Sequence, residues 1–83
     1  MGLAARPTIF MVSAIWDADA SVWAGSCDAV PVAAEADTLD ALLQKIGDMT
    51  SDLLADNHPG VEPASVFFQL SALRELERHS DAA

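Results

Sequence analysis

Four lysines and arginines, one cysteine, four glycines and no tyrosine in 83 residues close off several functions at once. So few cations beside 13 carboxylates do not make a surface for a phosphate backbone, which argues against direct nucleic-acid binding. The lone thiol, Cys27, builds no disulfide framework. His58 and His79 lie at no metal-ligand spacing from Cys27 or from each other, so no zinc site or other cofactor is expected. Cys27 beside Asp28 has no cation or helix N-terminus to activate it and reads as a structural thiol. Scarce glycine leaves no phosphate-cradling loop and no nucleophile elbow. No apolar run approaches the roughly 20 residues of a membrane span, and Met1 to Pro7 is too short for a secretory leader. The expectation is a cytoplasmic, non-membrane protein in a reducing compartment.

What is present is apolar and acidic. Apolar residues make up 52% of the chain, yet 16 of them are alanines that each contribute little buried area. A chain of this length buries only about 60–65% of its unfolded surface, enough for one small core. The formal charge is −9, and its whole excess falls between Asp17 and Glu62, where ten carboxylates accompany the single cation Lys45. Such a field repels phosphate and speeds encounter with a basic partner. As a plain solvated face, the same charge keeps the protein soluble.

Alternation predicts a strand from Thr8 to Trp16, with Ile9, Met11, Ser13 and Ile15 on one face and Phe10, Val12, Ala14 and Trp16 on the other. Both faces are largely apolar, as in a strand covered on two sides. Asp17-Ala18-Asp19-Ala20-Ser21 supplies turn chemistry, Val22 to Cys27 a return strand, and Val32 to Ala36 a short third. Gly25 marks a bulge or a close backbone approach. Asp37 is the expected N-cap of a helix lasting to about Asp56, with Asp40 completing a weak capping box. Leu39, Leu42, Leu43, Ile46, Met49, Leu53 and Leu54 form its apolar stripe, while Gly47 and Thr50-Ser51 allow a bend. Asn57-His58-Pro59-Gly60 stops it. Ser65 to Leu73 reads as a fourth strand, with 70–79 as an alternative helix. The fold class is α+β, a small antiparallel sheet with one main helix on one face, in the order β-β-β-α-β. One domain spans 8–76, with 1–7 and 77–83 as flexible ends.

No constellation in the sequence carries catalysis. Asp17-x-Asp19-x-Ser21 begins like a calcium loop, but Val22 holds the sixth position, where glycine makes the sharp turn. The carboxylates fall on loops and a solvated helix face rather than converging in pairs. Trp16 and Trp23 flank the hairpin loop and pair diagonally as a packing cluster or serve as interface anchors.

Trp16-Asp17, Val22-Trp23-Ala24, Asp28-Ala29-Val30-Pro31 and Glu35-Ala36-Asp37-Thr38-Leu39, followed by the Leu-rich helix and Asn57, resemble the HicB-like antitoxin superfamily. Within it, the run resembles a domain-of-unknown-function family of short bacterial proteins. The likeness covers roughly Thr8 to Leu73 and implies a HicB-like fold. Its antitoxins bind and block a small basic toxin that cleaves RNA. Only about ten residues follow the fourth strand, which leaves no room for an appended ribbon-helix-helix or helix-turn-helix unit.

One helix covers only one face of a small sheet. With Phe10, Val12 and Trp16 beneath it, Ile9, Met11, Ile15 and part of Val66-Phe67-Phe68 stay uncovered, an apolar area large for a monomer. The reading is therefore a non-enzymatic protein-interaction module, homodimeric or larger. The resemblance implies an antitoxin-like inhibitor that would turn Asp17, Asp19, Asp28, Glu35 and Asp37, with Trp16 and Trp23, toward a small basic toxin. The alternative is a stand-alone homo-oligomeric or small-ligand-binding domain without a toxin partner. A metal-dependent nuclease descended from the ribonuclease H fold is a distant third.

Overall fold

Residues 7–76 are described by a computed structural model. Apolar alternation sets the order β1 (Thr8–Asp17), β2 (Val22–Cys27), β3 (Ala33–Ala36), α1 (Leu39–Asn57), a 3-10 turn (Pro63–Ser65) and β4 (Val66–Leu73). The class is α+β: the described residues form one α-helix on a four-stranded sheet of order β3-β2-β1-β4. The expected all-antiparallel sheet needs correction. β1–β2 and β2–β3 are antiparallel, but β4 runs parallel to β1. The cause lies in α1, which carries the chain back along the sheet so that the next strand points the same way as β1 and β3.

Order within the sheet follows from burial. β1 is apolar on both faces and lies inside, between β2 and β4. β3, with Ala33-Ala34-Glu35-Ala36, has no large apolar side chain and takes an edge. Strand against 70–79 as helix is decided for Val66–Leu73, which is strand; Arg74 to Leu76 are irregular, and the remainder lies outside the described residues. Arg78, His79 and the expected flexible ends, Pro7 apart, fall outside them too.

The core comprises Phe10, Val12 and Ala14 of β1, Cys27, Val30, Val32 and Ala36, and Leu42, Ile46 and Leu54 of α1. Val30 and Val32 come from the second turn, pinned by Val32 N–H donating to Val30 O at 2.8 Å. α1 lies mainly over β2 and β3. Its buried positions, Leu42, Ile46, Thr50 and Leu54, recur every four residues, while Met49 stays exposed. Thr50 therefore occupies the place the apolar stripe gave to Met49, and its hydroxyl has no hydrogen-bond partner.

The N-cap is Thr38 rather than Asp37. Thr38 is extended (φ −130, ψ 160), and its Oγ1 accepts from Ala41 N–H at 3.1 Å. That places Ala41 at the third helical position, so Asp40 closes no capping box. Gly25 makes the close approach. A Cβ there would lie 2.7 Å from Leu42 Cδ2 and 3.2 Å from Ser13 O. The unbroken β1–β2 register rules out a bulge.

Candidate functional site

The pairing register lays out the face turned away from α1 as rows running across the sheet. One row is Glu35, Ala24, Ile15, Leu73. The next is Ala33, Ser26, Ser13, Ser71, and beyond it Met11 lies beside Gln69 and Ile9 beside Phe67. At the opposite end Asp17 pairs with Val22. Among the described residues no helix covers this side: Ile9 is 51% exposed, Ile15 56%, Phe67 56% and Leu73 67%. Those four side chains present roughly 400–500 Å² of apolar surface, within the ~300–600 Å² of the largest patch on a typical monomer. The serine row divides them into an Ile15–Leu73 cluster and an Ile9–Phe67 cluster, where the sequence reading expected one area.

The Ile15 end opens into a trough of about 580 Å³ lined by Ile15, Trp16, Asp17, Ala18, Asp19, Ala24 and Glu75. Its lining combines apolar Ile15, Trp16, Ala18 and Ala24 with the acidic residues Asp17, Asp19 and Glu75. Asp17 both lines the trough and holds the hairpin loop. Its Oδ1 accepts from the backbone N–H groups of Asp19 (3.1 Å) and Ala20 (3.2 Å), which fixes the hairpin loop. Ser21 ends that loop in the left-handed region, φ 57, a conformation a hairpin tip requires and a side chain resists.

The remaining acidic candidates separate. Glu35 shares the Ile15 row. Asp28 lies beyond the serine row and is tied to β1: Met11 N–H donates to its Oδ1 at 3.1 Å, and its own N–H donates to Met11 O at 3.0 Å. This carboxylate extends the ladder past the end of β2. Asp37 is exposed just before the cap of α1. Trp16 and Trp23 face the helix side, half-buried. They stand directly opposite each other rather than diagonally, with ring centroids 5.3 Å apart at 60°. The Arg74 guanidinium lies over Trp16, 4.5 Å from the ring centroid.

Two residues had more to do than the sequence indicated. His58 closes α1 through its N–H to Leu54 O (2.7 Å), and its ring Nε2 lies 2.7 Å from Ala29 O. A carbonyl only accepts, so Nε2 carries the proton. The same ring packs against Phe10, centroids 5.2 Å apart. Lys45 donates from Nζ to Glu35 O at 2.6 Å, joining α1 to the β3 edge. A histidine next to a helix-stopping Pro59 was the only advance signal for the first of these. The helix exterior holds a second acidic series, Asp48, Asp52 and Asp56, one turn apart, with no basic residue in the last turn. Among the described residues, no group of three or more His, Cys, Asp or Glu is placed to hold a metal ion.

These features define a small two-layer α+β domain in which three antiparallel strands, one helix and a parallel fourth strand leave one face of the sheet uncovered. None of its described helices is long and apolar enough to cross a membrane. The chain belongs to the family described as domain of unknown function DUF1902, which matches residues 9–79. It is similar to the hypothetical protein TTHA1013 from the extremely thermophilic bacterium Thermus thermophilus. The two share 39% sequence identity with a TM-score of 0.67, over 84% of this chain and 99% of that one. None of the curated proteins matches it.

Proposed function

We propose that this domain is a non-enzymatic protein-interaction module whose uncovered sheet face receives a basic partner protein. The trough at the Ile15 end, lined in part by Asp17, Asp19 and Glu75, carries this reading. Its apolar lining residues suit the methylene stem of an arginine or lysine, while Asp17, Asp19 and Glu75 suit its charged head. Glu35, on the same row as Ile15, extends the negative field. The resemblance to HicB-like antitoxins supplies the partner class, a small basic toxin that cleaves RNA, held inactive by occlusion. A cytoplasmic setting goes with that role.

The test is binding of the purified chain to a short basic protein encoded beside its gene, by calorimetry at low and high salt. Binding should weaken as salt rises, and the triple variant Asp17→Asn, Asp19→Asn, Glu75→Gln should lose at least about tenfold. Growth arrest by the basic protein alone, relieved by co-expression, completes the prediction. Affinity indifferent to salt and to the triple variant would remove the reading.

A further inference from the structure

We infer that β4 is a self-pairing edge, and that a second copy of this chain docks on it antiparallel across a two-fold axis centred on Leu70. The inference stands apart from the toxin reading, which concerns the face of the sheet rather than its rim.

β4 contributes eight residues to the rim, Val66-Phe67-Phe68-Gln69-Leu70-Ser71-Ala72-Leu73, with no charge and no proline. Its register against β1 is unbroken from Thr8–Val66 to Ile15–Leu73, so no bulge turns it away. The usual devices that blunt an exposed edge are absent from these eight residues. Every second backbone amide and carbonyl of such a strand points outward, and among the described residues β4 has a strand neighbour, β1, on one side only.

The occupant follows from symmetry and charge. A two-fold axis perpendicular to a sheet keeps side chains on matching faces only when it passes through a residue of the strand, because sides alternate with a period of two. Centring on Gln69 sets Phe67 opposite the partner's Ser71. Centring on Ser71 sets Leu73 opposite the partner's Gln69. Centring on Leu70 opposes Phe67 to the partner's Leu73 and Gln69 to the partner's Ser71, so the exposed apolar residues cover each other twice. On the helix side the same register opposes Phe68 to the partner's Ala72, beside the groove of about 130 Å³ between α1 and β4. Electrostatics agrees. With a net charge of −9, a like-charged copy meets least repulsion where carboxylates are missing, and β4 together with Thr8–Trp16 holds none. An edge of eight residues is about 26 Å long at ~3.3 Å each. Pairing along it covers on the order of 600 Å² per chain, a little below the ~800 Å² of a standard interface. That size fits reversible association.

Sedimentation velocity on the full chain, from about 1 µM to about 1 mM, should show a monomer–dimer equilibrium with Kd on the order of 10 µM. Added salt should tighten the dimer by screening the two acidic bodies, whereas it weakens a basic partner. Phe67→Lys or Leu73→Lys should weaken the dimer more than about tenfold while circular dichroism stays unchanged, because both side chains are already in water. Ile15→Lys, one strand inward, should not. The register has its own readout. Opposite residues of an antiparallel pair lie about 4.5–5.5 Å apart at Cα, within disulfide reach. The double variant Gln69→Cys, Ser71→Cys should therefore cross-link on mild oxidation, and each single variant should not; native Cys27 is buried. A monomer at every concentration, or a dimer lost with Ile15→Lys and indifferent to Leu73→Lys, would overturn the inference. Cross-linking by Gln69→Cys alone would overturn the Leu70 register.

Discussion

At one rim of the sheet β3 offers four residues, three of them alanine, with Pro31 just upstream. Lys45 reaches from the helix to its Glu35 carbonyl, and α1 lies over it. At the other rim β4 offers eight uncharged residues. Its helix-side Val66, Phe68 and Leu70 are only half-buried, and its outward Phe67 and Leu73 are exposed. The first edge is short, small in its side chains and covered, as in strands that end a sheet. The second has the length and apolar content of a strand that belongs inside one. What this small fold leaves uncovered thus lies along β4 and on the face it shares with Ile9 and Ile15.

The comparison can be broken from its covered side. Leu42, fully buried beneath α1, sits above Gly25; Leu42→Ala should cost about 2–5 kcal/mol in urea denaturation. Gly25→Ala attacks the same contact from the sheet. Its Cβ would meet Leu42 Cδ2 at 2.7 Å and Ser13 O at 3.2 Å, and a loss of about 1–3 kcal/mol is expected. If this half of the molecule tolerated both changes, the helix would not be anchored on β2 as described.

Smaller effects sharpen the account. Thr38→Ala removes the cap bond to Ala41 and should cost about 1 kcal/mol, while Asp37→Ala should change stability by less than about 0.5 kcal/mol. Thr50→Val keeps the branched shape and deletes a buried hydroxyl that has no partner, so a gain of about 1 kcal/mol in urea midpoint stability is expected. Ser21→Gly relieves the left-handed φ of 57 against the entropy of a new glycine, for a net gain of about 0.5 kcal/mol or slightly more.

Much of this was legible in the residues, through two periodicities. Alternation from Thr8 to Trp16 located β1 and told its faces apart, and Phe10, Val12 and Ala14 are indeed the buried set. The three–four spacing found α1 to within a residue or two of Leu39–Asn57. The choice between Asp37 and Thr38 as cap was not legible, because both side chains can accept the bond and the exit from β3 decides which one is extended. Thr50 replaced Met49 because the buried set follows the every-fourth row Leu42, Ile46, Thr50, Leu54, and sequence spacing alone does not choose between that row and the stripe through Met49. The parallel β4 was implicit: three strands running up, down and up, then a helix leading back, leave the fourth running up. The serine row escaped notice because Ser13, Ser26 and Ser71 are far apart in the chain and meet only through register. Of the candidate carboxylates, Asp17, Asp19 and Glu35 gather toward one end of the sheet, whereas Asp28 is absorbed in extending the ladder.

The contrast between the two rims is tested most directly by backbone hydrogen exchange, compared between dilute and concentrated protein. The outward amides of β4 should exchange quickly at low micromolar concentration and become protected as concentration rises, while those of β3 hold one rate throughout. Exchange along β4 that is slow in dilute solution and unchanged on concentration would contradict the open edge on which this account rests.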